Sequence, residues 1–148
     1  MDRMDIALHY HQRGFNCCQS VLAAYLDSLN ISEETALSLG AGFGGGAGTG
    51  ELCGALSGAI MALDLMLPAD LADPVGSKRR AMRRAKTLQQ RFSERFGALR
   101  CQELLRAERE EPSDAVKALG LTNHCAVMIA SAVELTEEIL EEALKEEA

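Results

Sequence analysis

Apolar residues recur along this chain at helical rather than alternating spacing, and the polar residues between them mark helix starts and stops. The first run predicts a helix over 2–12 that stops at Gly14. Asn16 then stands as the N-cap of a second helix, which begins with Cys17 and Cys18. Its apolar face is Val21, Leu22, Tyr25, Leu26 and Leu29. Ser32 followed by Glu33 and Glu34 opens a third, short helix, because acidic residues are favoured in a first turn. Glycine arrives at Gly40 and ends it.

Residues 40–50 contain seven glycines, a density that predicts a loop of unusual backbone angles or very close packing. The loop runs into residues 51–67, apolar on nearly every side and stopped by Pro68, which predicts a buried central helix. Gly54, Gly58 and Ala62 form a stripe of small residues along it, with Ala55 and Ala59 beside them, so another helix backbone can approach closely. A linker over 68–77 leads to a helix that starts near Pro74 or Ser77 and is stopped by Gly97. Met82, Ala85, Leu88, Phe92 and Phe96 are predicted as its buried side. A short helix with Cys101, Leu104 and Leu105 follows and gives way to a charged stretch around residues 106–114. After a turn at Gly120, Asn123 caps a last helix from His124 to about Glu146. The sum is an all-α bundle of about five to seven helices in one domain, residues 1–148.

Composition supports this reading: with 47% apolar residues the chain has enough to bury a core, and its few aromatics and three prolines leave mostly good helix formers. The N-terminus has no continuous apolar run of the secretory kind, and the longest apolar stretch is shorter than a membrane span and carries Asp64. A cytoplasmic protein is expected, neither membrane-bound nor, at a net charge of −7, a binder of nucleic acid. Charge is nonetheless uneven. Lys78, Arg79, Arg80, Arg83, Arg84, Lys86, Arg91 and Arg95 lie on one predicted helix, and Glu134, Glu137, Glu138, Glu141, Glu142, Glu146 and Glu147 on another. Such helices can lie side by side, pair between subunits of a homo-oligomer, or simply be two solvated faces.

The candidate chemistry lies in the five cysteines, Cys17, Cys18, Cys53, Cys101 and Cys125. In a reducing compartment they are expected to be free, catalytic or metal-bound. Cys17, Cys53, Cys101 and Cys125 each fall near a predicted helix start, where unpaired amides favour the thiolate. The bland alternative is that they pack as small hydrophobes. Cys53 is expected to be the most activated, because it combines a helix start with an amide-rich loop. Gly44, Gly45, Gly46, Gly48 and Gly50 are the loop residues that would surround it as an anion-stabilising nest. Cys17 and Cys18 project about 100° apart on a helix and are not expected to serve one site. The spacings are too wide for a local chelate, and no CxxC pair occurs. Gly40, Gly42 and Gly45 match GxGxxG, but a predicted helix precedes them where a dinucleotide site needs a strand. His124, beside Cys125, is a candidate base or second ligand. His9 and His11 do not share a helix face.

The ordered segments NCCQSVL (16–22), the glycine run leading into Cys53-Gly54-Ala55-Leu56-Ser57-Gly58, FGALRCQELL (96–105) and NHCAVMIASAVEL (123–135) resemble a redox-active protein family named for its C…CGAxxG…C…C pattern. The resemblance covers roughly residues 10–140 and maps the family's four cysteines onto Cys17, Cys53, Cys101 and Cys125. Cys18 stands where members carry a small residue such as Ala. The resemblance implies a small cytoplasmic protein whose four cysteines converge, either cycling between thiols and disulfide or holding zinc or an iron–sulfur cluster. A redox partner protein follows from the first case. No CxxCH segment is present, so haem is not implied. The competing expectation is a binding module with structural or zinc-stapled cysteines, docking an acidic partner on its basic helix.

Overall fold

The computed structural model describes residues 2–106 and 111–147; residues 107–110 of the charged stretch lie outside them. The fold is an all-α single domain with eight α-helices among the described residues. They are α1 (Arg3–Gln12), α2 (Cys17–Ala23), α3 (Glu33–Gly40), α4 (Gly54–Met66), α5 (Pro74–Phe96), α6 (Cys101–Leu104), α7 (Asp114–Lys117) and α8 (His124–Glu147). The number exceeds the expected five to seven because α7 is a single turn without hydrophobic periodicity. Ser113 alone announces it, by accepting a hydrogen bond from the Val116 amide.

The predicted caps close the helices they announce. Asn16 accepts from the Gln19 amide while the Gln19 side chain accepts from the Asn16 amide, a reciprocal box that fixes where α2 begins. Ser32 caps α3 and Asn123 caps α8 through the amides of Thr35 and Ala126. Asp73 and Pro74 start α5, and Gly97 stops it at φ 74°. The face predicted to continue along α2 breaks after Ala23, and Leu26–Ser28 form a separate 3-10 turn.

α4 is the central helix, buried from Gly54 to Ala59 and again at Ala62 and Leu63. It packs against α2, α5 and α8, and α8 in turn receives α1. Leu88, Phe92 and Phe96 of α5 and Met128, Ile129, Val133 and Leu135 of α8 complete the core. Met82, expected among the buried side of α5, is 64% exposed instead. At that level α5 has run past its neighbours' apolar faces, and periodicity alone could not reveal where they end. The opposite charges of α5 and α8 meet within the chain: Arg95 pairs with Glu134 at 2.6 Å, and Arg91 with Glu142 at 2.9 Å and Glu138 at 3.6 Å. Among the described residues no helix is long and apolar enough to cross a membrane.

Candidate functional site

Four cysteines stand at four helix starts. Cys17 is the first residue of α2, Cys53 the N-cap of α4, Cys101 the first residue of α6, and Cys125 the second residue of α8. Two local devices gather them. The first is the α2–α4 contact, where glycine lets the backbones touch. A Cβ on Gly58 would lie 2.6 Å from the Cys18 carbonyl oxygen, and one on Gly54 would lie 3.0 Å from the Phe43 carbonyl and 3.4 Å from Cys17 Cβ. Cys17 therefore sits directly against the first turn of α4.

The second device is a minimal antiparallel pairing of residues 51–53 with 99–101. Leu52 faces Arg100, the Cys53 amide donates to Leu99 O at 2.9 Å, and the Cys101 amide donates to Glu51 O at 2.6 Å. Outside it, the Arg100 guanidinium grips both Glu51 carboxylate oxygens, at 2.8 and 3.1 Å. These backbone bonds hold Cys53 and Cys101 in one short ladder although 47 residues separate them.

The glycine segment connects α3 to α4. α3 runs through Gly40, and a 3-10 turn covers Ala41–Phe43, so helical structure continues into the segment. Gly45, Gly46, Ala47 and Gly48 then all adopt positive φ, and Glu51 N closes a wide turn onto Gly46 O. Ala47 takes this conformation at a cost of about 1 kcal/mol, which its glycine neighbours avoid. A Cβ on Gly44 would collide with Asn16, and one on Gly50 would press on Gln102, so the turn is wedged between the starts of α2 and α6. The amides that reach the Cys53 sulfur are those of Ala55 and Leu56, in the first turn of its own helix.

The thiols are not equivalent. The Cys17 thiol couples to that of Cys125, and the charges of Cys53 and Cys101 also reach Cys17. The pair shares its protons unequally. The hydrogen bond from Cys17 first, then the positive charges of His124 and His11, lower the Cys125 thiol to about 6. Cys17 is held protonated, by that same bond, by burial and by the neighbouring thiolate charge. Cys53, only 5% exposed, is pushed up to about 11 by burial, against the amides of Ala55 and Leu56. Burial and the charge of Cys125 also raise Cys101. At Cys53, burial thus works against the bias of its helix start, whereas the thiol that is lowered is Cys125. His11 had no signal of its own in the sequence. Its Nδ1 faces the Phe15 carbonyl at 3.1 Å, and only the packing of α1 on α8 brings its charge to Cys125. Cys18 points into the core, fully buried and raised to about 12.

Zinc or an iron–sulfur cluster needs three or four ligands around one point. Among the described residues no group of three or more His, Cys, Asp and Glu is arranged to hold a metal ion. The four thiols lie within electrostatic reach of one another, and all are free rather than joined in disulfides.

With this geometry in place, comparison with protein families gives one match. Residues 15–139 match the family described as "Putative redox-active protein (C_GCAxxG_C_C)". The name writes Gly-Cys-Ala where this chain reads Cys53-Gly54-Ala55, and the spacing from Ala55 to Gly58 is kept. No curated protein and no solved structure matches the chain.

Proposed function

From the premise that this chain belongs to the C_GCAxxG_C_C family, we propose that it is a dithiol–disulfide redox protein in which Cys125 and Cys17 form the first working pair. What supports the reading is that Cys17 and Cys125 are neighbours whose thiols couple, with a thiolate favoured on one side and a protonated thiol kept on the other. A thiolate attacks disulfides and a thiol does not, so the half-buried Cys125 is the entry point.

Against an oxidised partner the electrons balance in two steps. The Cys125 thiolate attacks one sulfur of the partner's disulfide; that S–S bond breaks, a mixed disulfide forms, and the other partner sulfur leaves as a thiolate and takes a proton. Cys17 then gives up its proton and attacks the Cys125 sulfur, forming the Cys17–Cys125 disulfide and releasing the second partner thiol. The partner gains two electrons and two protons; the chain gives up the two electrons and the Cys17 proton, and the second proton comes from solvent, which took it when Cys125 ionised. Cys53 and Cys101, raised and held in the short ladder, form a second pair that stays reduced until the first is oxidised. A reducing cytoplasm, which would regenerate the dithiols, suits this chemistry, and the partner is a disulfide-bearing protein.

Equilibration in graded mixtures of reduced and oxidised glutathione, followed by thiol counting and peptide mapping, tests the proposal. Two thiols should disappear first and map to a Cys17–Cys125 disulfide. Five titratable thiols persisting in the most oxidising mixture would overturn it.

A further inference from the structure

The exposed Met82 that the hydrophobic pattern misplaces is part of a larger feature. Val75 and Met82, seven residues apart and 53% and 64% exposed, lie on one outward line of α5. Lys78, Arg79, Arg83 and Lys86 flank that line, all exposed. None of these four cations is in an ion pair among the described residues, although the chain as a whole carries net charge −7. Beside Met82, a shallow groove bounded by Ala85, Lys86 and Gln89 extends to Glu94 and Leu99.

The two halves of α5 therefore differ. Its last turns spend Arg91 and Arg95 on Glu134, Glu138 and Glu142 of α8. In its first turns Arg80 pairs with Asp73 and Arg84 donates to the Leu67 carbonyl, whereas Lys78, Arg79, Arg83 and Lys86 stay exposed beside the two apolar side chains. Apolar residues at heptad spacing with cations on both sides are complementary to a helix carrying leucine-type anchors flanked by carboxylates. A second copy of this chain is the weaker fit, because the carboxylates α8 would offer at Glu134, Glu138 and Glu142 are already engaged at home.

We infer that the Val75–Lys86 face of α5 is a docking surface for an acidic amphipathic helix of a partner protein. The surface is independent of the redox reading. At 1.5 Å per residue, Lys86 stands roughly 15 Å along α5 from its Phe96 end, which leads to Cys101, so a docked helix leaves the thiols accessible.

Fluorescence anisotropy with a dye-labelled synthetic helix of leucines at heptad spacing flanked by glutamates tests this, with a glutamine-for-glutamate peptide as control. Saturable binding is expected that weakens about tenfold between 20 and 300 mM salt, since exposed charges are screened over that range. R79E/R83E should weaken it by at least about tenfold and Met82→Ser by a few-fold, while the glutamine peptide fails to bind. Both variants alter exposed residues, and unchanged circular dichroism and thiol count verify the fold. Absence of binding, or equal binding to R79E/R83E, overturns the inference. So does binding to anionic phospholipid vesicles without binding to the peptide, or self-association in light scattering that R79E/R83E abolishes, which would assign the face to a membrane or a second copy.

Discussion

α2 meets α4 through side chains that are missing, whereas α5 meets α8 through large ones. At the first contact Gly54 and Gly58 leave no room for a Cβ, and the reward is position: Cys17 is set against the first turn of α4. At the second, Leu88, Phe92 and Phe96 are fully buried, and Arg91 and Arg95 add ion pairs at the edge. The α5–α8 contact is built for stability and tolerates small shifts. The α2–α4 contact fixes where Cys17 stands. Stability and thiol chemistry should therefore separate under mutation.

The largest effect on stability is expected from Phe92→Ala, about 4 kcal/mol by urea unfolding, with the Cys125 titration left near 6. Gly58→Ala should cost less, about 2 kcal/mol, because only α2 must retreat from a 2.6 Å clash. It should nevertheless raise the Cys125 pKa by moving Cys17 away. If Gly58→Ala left that titration unchanged, or Phe92→Ala shifted it, the division between the two contacts would fail. Cys17→Ala, which removes the donor to Cys125 without touching either helix contact, should slow alkylation at pH 7 about tenfold, as the thiolate fraction falls. Arg95→Ala, at the edge of the tolerant contact, should cost only about 1 kcal/mol and leave every thiol as it was.

A pH dependence sharpens the same contrast. Cys125 is lowered on folding, so its stabilising contribution is complete above the ordinary thiol range and lost as pH falls through about 6. Cys53 is raised, so folding stability is lost as pH rises toward about 11. The stability difference between wild type and Cys125→Ser, measured by urea unfolding, should therefore shrink between pH 8.5 and pH 6.

Local chemistry made much of this legible before any coordinates. Asn16, Ser32, Asn123, Gly97 and Pro74 announce helix ends by mechanisms confined to a few residues, and all five act where expected. The grouping of Cys17, Cys53, Cys101 and Cys125 at helix starts was visible for the same reason. What was not visible depends on which surfaces meet. Burial of Cys53 reverses its bias, His11 enters from another helix, and Met82 lies beyond the reach of its neighbours. Each is a tertiary fact that spacing along one helix does not contain. The glycine segment lies between these cases. Its composition signals unusual backbone angles, and Gly45 to Gly48 adopt them, but the partners of the turn, Asn16 and Gln102, are distant in sequence.

In the proposed redox function Cys125, poised by Cys17, is the activated thiol of the four. Alkylation of the reduced protein across pH 4–10, read cysteine by cysteine by mass spectrometry, tests it most directly. The account predicts that Cys125 titrates first with a midpoint near 6, and that Cys53 and Cys18 stay unreactive throughout. A profile in which Cys53 reacts first, or in which Cys125 titrates at the ordinary thiol value of about 8.5, would contradict it.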